Sequence, residues 1–253
     1  MLKNTLRTKL EVHDAEPLYK QVERQILQCL AAGEWKPGEQ LPTESQLAER
    51  FGVAVFTIRA GISELVASRI LLRKQGKGTF VARHGRQRRR YQFSHIYDIN
   101  GEQILAERKL LSFHKETATG EALQALQLPP AGSTPIFRIA CLLTTGDAPV
   151  ATLDIAVPVA KFPGLTAKAI REETENLYAV YQDVCGINVI RIEEQVFATI
   201  AKPAVARSLK IQSGKPVLRI NRVAYTYNDT PVEYRVRHFS GDTYCYRFTE
   251  GGV

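Results

Sequence analysis

Apolar residues in the first eighty positions fall into three stretches of helical period followed by two of strand character. Leu18, Val22, Ile26, Leu27 and Leu30 recur at spacings of three and four, a single stripe along a helix of about four turns. Pro17 stands where a helix can begin, because its missing N–H has no use in a first turn, and Gly33 supplies the stop. A proline-bounded turn, Lys36 to Pro42, leads into Thr43-Glu44-Ser45-Gln46, a capping-box pattern in which Thr43 caps and Gln46 reaches back. The short helix to Phe51 packs through Leu47 and Ala48, and Gly52 makes the next turn. A third helix carries Ile58, Ile62, Leu65 and Val66 on its core face. Two helices around a tight glycine turn form a helix-turn-helix, whose second helix is the recognition helix. The strands Ile70–Lys74 and Thr79–Ala82, joined by Gln75-Gly76-Lys77-Gly78, form a wing that places Lys77 toward phosphate or the minor groove.

Beyond residue 95 the pattern changes to strands alternating with short helices. Strands are expected at Ile104–Phe113, Ile136–Thr144, Val150–Val157, Val189–Ile200, Val217–Tyr227, Val232–Phe239 and Tyr244–Thr249. Helices are expected at Glu121–Leu126, Gly164–Arg171, Leu177–Val184 and Pro203–Leu209. Short polar turns such as Tyr227 to Pro231 imply antiparallel pairing, so the class is α+β. A weak internal repeat runs through this part. Leu126 to Leu128, Gly132 and Pro135 to Ile139 parallel Leu209 to Ile211, Gly214 and Pro216 to Ile220, and each copy continues into a hairpin. One sheet built from two similar halves, with a cleft where they meet, is the implied architecture.

Charge sharpens the division. Residues 1–90 hold 17 Lys+Arg against 9 Asp+Glu, whereas residues 91–253 hold 17 of each, so the whole +8 excess lies in the first third. A polyanion partner for that third alone accounts for such a partition, which a merely solubilising surface does not. The expected organisation is an arm at 1–16, a DNA-binding domain at 17–82, a basic linker at 83–94 and a second domain at 95–253. The linker run Arg83 to Arg90 reads either as a solvated tether or as an added phosphate contact. Four cysteines lie far apart with no CxxC pair, the N-terminus lacks the apolar core of a signal peptide, and no run of eighteen apolar residues occurs. Reduced thiols in a cytoplasmic protein, with no membrane partner, are therefore expected. The five histidines form no HExxH set, and neither a GxSxG elbow nor a phosphate-binding loop is present. Neither catalysis nor a metal or other cofactor is expected.

Pro17-Leu18-Tyr19, Pro37-Gly38, Leu41-Pro42-Thr43-Glu44, Leu47-Ala48, Phe51-Gly52-Val53, Thr57-Ile58-Arg59 and Gly76-Lys77-Gly78-Thr79-Phe80-Val81 together resemble the winged-helix domain of the GntR family. The resemblance implies DNA contacts from Thr43, Ser45, Ala54, Val55, Phe56, Thr57, Arg59, Gly76, Lys77, Gly78 and Thr79. Two positions depart from the family pattern. Ser45 stands where an arginine is usual, and Ala54-Val55, followed by Phe56, where a Ser-Arg-like pair usually opens the recognition helix. Arg59, Thr57 and the wing are expected to keep the phosphate anchoring, while base readout moves toward apolar contact with thymine methyls or weakens. In the competing reading, Val55 and Phe56 pack inward as core.

The second part, through Pro231-Val232-Glu233 and Gly241-Asp242-Thr243-Tyr244, resembles the UTRA effector domain of the HutC subfamily. This resemblance implies a chorismate-lyase-like fold, a small-molecule effector, and a homodimer that presents two recognition helices to a palindromic operator of double-stranded DNA. The chain is then a transcription regulator, a repressor by family expectation. A non-sensing regulator with a degenerate pocket is the alternative, and an enzyme of lyase-like fold a remote one. Family members that bind sugar phosphates or carboxylates generally carry arginines on the first repeat's strand. Here the repeat sets Cys141 opposite Arg222, with Leu143 two residues on and Leu153 and Ile155 across the hairpin. Arg222 and Glu233 keep family character, and Phe239 stands where tyrosine is common. Strand parity gives Cys141 and Leu143 one face, and Leu218, Ile220 and Arg222 another. The expected pocket has one principal cation, Arg222, and an apolar wall of Cys141, Leu143, Leu153, Ile155 and Phe239, suited to a carboxylate with an apolar body. Alternatively, Arg222 only pairs with Glu233 or Asp154.

Overall fold

The computed structural model describes residues 16–83, 95–130 and 134–248. All but the last residue of the expected arm (residues 1–15), nearly all of the basic linker (residues 84–94), Gly132 and Thr249 lie outside the described residues. The chain divides into two compact units, Met1–Arg83 and His84–Val253.

In the first unit α1 (Leu18–Ala31), α2 (Glu44–Phe51) and α3 (Val55–Ala67) precede a hairpin of β1 (Leu71–Lys74) and β2 (Gly78–Val81). The helical stripes meet inside: Val22, Ile26, Leu47, Phe51, Ile58, Ile62 and Leu65 are all buried. Thr43 and Gln46 form the capping box, with Thr43 Oγ1 accepting from the Gln46 amide (3.3 Å) and Gln46 Oε1 from the Thr43 amide (2.9 Å). Gly52 ends α2 in the left-handed region at φ 72°. The axes of α1 and α3 approach at Gly61, where a Cβ would come within 2.9 Å of the Tyr19 carbonyl oxygen and Val22 Cγ1. Glycine is usually poor in a helix interior; here it sets the distance between two helices.

The second unit holds a six-stranded antiparallel sheet in the order β4-β5-β6-β9-β8-β7. Its strands are β4 (Glu107–Thr117), β5 (Pro135–Thr145), β6 (Ala148–Pro158), β7 (Arg191–Ile200), β8 (Pro216–Thr226) and β9 (Thr230–Ser240). The repeat is visible in the topology. Strand β4, helix α4 (Gly120–Ala125) and the β5–β6 hairpin are matched by β7, α7 (Pro203–Leu209) and the β8–β9 hairpin, and the halves join where β6 pairs with β9. Even the irregularities correspond: a register shift follows Leu143 in one half and its repeat equivalent Ala224 in the other. Helices α5 (Ala167–Glu172) and α6 (Leu177–Cys185) lie between the halves in sequence and cover one face of the sheet through Ile170, Leu177, Tyr178 and Tyr181.

Two features depart from the sequence pattern. A separate two-stranded ribbon pairs β3 (Ile96–Asp98) with β10 (Tyr244–Tyr246). Strand β4 starts at Glu107 rather than Ile104, because Ile104 bonds back to Ile96 through its amide and packs with Val150, Ile220 and Phe239 under the ribbon. The expected separation of faces also does not hold. Directly paired residues share a face of a sheet, and Cys141, Leu153, Arg237 and Ile220 are paired in one row across β5, β6, β9 and β8. The residues assigned to two faces therefore lie on one. Among the described residues no helix is long and apolar enough to cross a membrane.

Replacing Gly61 with Ala is expected to destabilise the first unit by about 1–3 kcal/mol, despite alanine's better helix propensity, because the new methyl meets backbone. Urea unfolding followed by the fluorescence of Trp35, the single tryptophan, measures it.

Candidate functional site

The outer surface of the first unit is built on α3 and the wing. Helical spacing sends Ile58, Ile62 and Leu65 inward, which leaves the opening residues outside: Val55 is 38% and Phe56 80% exposed. The inward-packing reading of Phe56 is thereby excluded. Ala54 caps α3 without a side-chain hydrogen bond, so the first amides of the helix have no side chain across them. Arg59 and Ser45 are exposed, and Thr57 is half-buried. The Thr43 hydroxyl serves the cap of α2.

Glu44, which the sequence pattern did not single out, links helix and wing. Its Oε2 accepts from Arg59 Nε (2.9 Å) on α3, and its Oε1 from Arg73 Nη2 (3.3 Å) on β1. At the wing tip Gly76 and Gly78 take φ of 68° and 101°. Gln40 Nε2 donates to the Lys77 carbonyl (2.8 Å), and a Cβ on Gly78 would come within 2.6 Å of that same nitrogen. Glycine is therefore required by conformation and by space. Lys77 is exposed and Thr79 half-buried.

In the second unit the expected pocket residues gather on the α6 face of the sheet, together with charges that the sequence pattern missed. One row across the sheet reads Phe113, Ile139, Ile155, Arg235, Arg222 and Glu194. Arg222 (2% exposed) pairs with Glu194 at 2.7 Å, not with Glu233 or Asp154. Asp154 instead meets Arg138. Glu233 is fully buried and accepts from Tyr178 Oη (3.1 Å), Tyr181 Oη (2.7 Å) and Arg235 Nη2 (2.8 Å). Arg108 and Arg237 are also buried. The single expected cation is thus one of four guanidiniums. Cys141, Leu153 and Ile155 are buried in the main core, Leu143 packs partly exposed against it, and Phe239 is enclosed with Ile96 and Ile220. The apolar wall is largely core. Alternation along β9, Glu233-x-Arg235-x-Arg237, was the signal that could have found the missing arginines.

Burial and then Glu233 push both tyrosine hydroxyls above their ordinary range. Burial works against the charge on Arg235, yet Glu233 holds it above the usual guanidinium value. Burial likewise opposes the Glu194 carboxylate, but Arg222, the Tyr246 hydroxyl and Arg237 together keep that group below its usual range. Among the described residues no group of three or more His, Cys, Asp or Glu side chains could hold a metal ion.

A winged helix-turn-helix followed by an antiparallel sheet with buried charges on one face defines a DNA-binding regulator with a ligand-binding domain. Family models agree: the model of the bacterial regulatory proteins of the gntR family matches residues 18–81, and that of the UTRA domain matches residues 103–245. The chain belongs to the GntR family of transcription regulators and carries a UTRA domain. It is 30% identical to the histidine utilization repressor of Pseudomonas putida, over 88% of each chain. It is 27% identical to the mannosyl-D-glycerate transport/metabolism system repressor of Escherichia coli, over 90% of this chain and 94% of that one. The ligand-binding domain of a GntR-family regulator from Bordetella bronchiseptica superposes with a TM-score of 0.58 at 29% identity, covering 64% of this chain and 99% of that one.

Removing the Glu233 charge with Glu233→Gln strands Arg235 beside Tyr178 and is expected to cost roughly 3–5 kcal/mol of stability. Denaturation followed by near-ultraviolet circular dichroism of the tyrosines measures it.

Proposed function

We propose that the protein is a dimeric repressor that grips a palindromic operator through α3 and the wing and changes its grip when a small metabolite occupies the α6 face of the UTRA sheet. The observation that carries the proposal is the opening of α3. It presents Val55 and Phe56 to solvent beside an Arg59 that Glu44 holds in line with Arg73 of the wing. Exposing a phenyl ring has a standing cost in water, and a partner that covers it accounts for its place. In this arrangement Arg59, Arg73, Lys77 and the wing amides take phosphate oxygens, which fixes register without reading sequence. Phe56 and Val55 read thymine C5-methyls in the major groove. The names of the relatives, repressors of histidine and mannosylglycerate utilisation, support repression of a catabolic operon. The effector side rests on the UTRA match and on the buried charges beneath α6. Dimerisation is supported by exposed Leu111 (57%) and Ile200 (64%), which with Val205 line a groove of about 570 Å³.

Selection from a randomised duplex pool, followed by anisotropy titrations, tests the DNA reading. A palindromic site is expected, with Lys77→Ala and Arg59→Ala each lowering the salt slope by about one. Replacing thymine by deoxyuracil at the positions facing α3 removes only the methyl. It should weaken wild-type binding about three- to fivefold per methyl, from the ~0.8 kcal/mol of a buried carbon. Phe56→Ala should reduce that difference, Val55 keeping its share, and leave the salt slope unchanged. Discrimination confined to G·C pairs, and indifferent to Phe56, would overturn this part.

Sedimentation equilibrium tests assembly: Ile200→Asp is expected to shift a dimer toward monomer, whereas a monomeric wild type would contradict the dimer.

A further inference from the structure

Pairing of the buried charges on the α6 face leaves two guanidiniums without a carboxylate, Arg108 and Arg237, and only Arg108 has backbone oxygens in its place. Arg222 is matched with Glu194 and Arg235 with Glu233. Arg108 gives Nη2 to the carbonyl oxygens of Ile170 (3.1 Å) and Glu173. Arg237 is 5% exposed, and its Nε and Nη1 are enclosed without a hydrogen-bond partner among the described residues. Burial, then repulsion from Arg222 and Arg235, lowers its proton affinity to about 9, with Glu194 the opposing carboxylate. A buried cation without an acceptor is among the least favourable arrangements in a protein interior, and such a group is found where an anion is to be bound.

Glu194 is held from two sides. Its Oε1 takes Arg222 Nε at 2.7 Å, while its Oε2 takes the hydroxyl of Tyr246 and lies 3.9 Å from His95 Nε2. Tyr246 belongs to β10, and His95 immediately precedes β3. Glu194 therefore fastens the ribbon to the sheet. That ribbon begins where residues 84–94, which join it to the DNA-binding unit, come to an end.

We infer that Arg237 binds the acid group of the effector, a carboxylate or phosphate, and that this group displaces Glu194 from the guanidiniums and so loosens the Tyr246–Glu194–Arg222 chain that fastens the ribbon. The inference rests on the reading of the UTRA unit as the effector domain and adds the class of ligand and the route of its effect. The anchor lies in the second repeat. In the first, the position equivalent to Arg222 is Cys141, and the row of Arg237 continues into Leu153 and Cys141. An incoming anion supplies acceptors for two idle N–H donors. It also competes with Glu194, whose charge acts on Arg237 from a distance and which Arg222 holds directly.

The test uses full-length protein and matched probes: benzoate against benzamide, succinate against succinamide, and glycerol 3-phosphate against glycerol. Thermal melting and binding to the selected duplex are the readouts. An acid of at least one pair should raise the melting temperature and change DNA affinity while its neutral mate does neither, and the pair that responds separates carboxylate from phosphate. Arg237→Gln should weaken that acid roughly 10- to 100-fold, and should raise the melting temperature of ligand-free protein, since an unmatched charge has gone. Glu194→Gln should tighten acid binding and give ligand-free protein the DNA affinity of the acid-bound form. Equal responses to neutral mates, an Arg237→Gln protein that keeps the acid response, or one that melts lower without ligand would each overturn the inference. If no acid binds, the ligand-free melting of Arg237→Gln decides alone. DNA binding that persists but ignores acids sinks only this inference; absence of sequence-specific DNA binding sinks the repressor reading instead.

Discussion

A guanidinium taken out of water needs an oxygen within hydrogen-bond reach, and the arrangement of the UTRA unit follows from meeting that need several times on one face of a sheet. Arg222, Arg235 and Arg237 enter by strand parity from β8 and β9. Arg222 meets Glu194 from the edge strand β7 and Tyr178 from α6, Arg235 meets Glu233 of its own strand, and the two carboxylates are held in turn by Tyr246 of the ribbon and by Tyr181 of α6. Each partner binds a separate element to the sheet, so the electrostatics of the face and the placement of its covers are one problem. A shift in the charge on that face is felt by α6 and by the ribbon together.

The DNA-binding unit uses the same device in weaker form. Glu44 bridges arginines on α3 and β1, but both arginines are exposed, and water and salt screen what the pairs gain. Its value lies in position rather than stability: two cations are kept in register across helix and wing. Rigid parts of the unit are held by shape instead, as at Gly61, where two helices touch, and at Gly78 against Gln40.

The two halves of the UTRA sheet share a backbone down to the position of a register shift, yet their side chains have parted. Cys141 and Arg222 occupy equivalent places, one in the apolar core and one in the charged row. The first half closes the core under α6, while the second carries the charge. A similar exchange has occurred at the tip of α3, where the usual polar pair is replaced by Ala54 and Val55 with Phe56 beside them. In both places the protein keeps the family scaffold and changes the chemistry on it.

Local periodicity made most of the fold legible. The helices of the first unit, the capping box, the wing and the two hairpins each depend on residues a few positions apart, and their spacing carries that information directly. The internal repeat foretold one sheet in two halves. What no local pattern carries is which strands lie side by side, and in what register. Ile96–Asp98 is too short to stand out, and nothing local says that its partner is Tyr244–Tyr246, the start of an expected strand far along the chain. Glu194 reaches Arg222, and Arg237 shares a row with Leu153, only through pairings between strands distant in sequence. The sequence by itself thus determined a winged-helix DNA-binding unit joined to an antiparallel two-half domain. Tertiary structure alone decided that four arginines share one buried face and that one of them lacks a partner, because strand register, unlike helical period, is set by contacts between residues far apart in the chain.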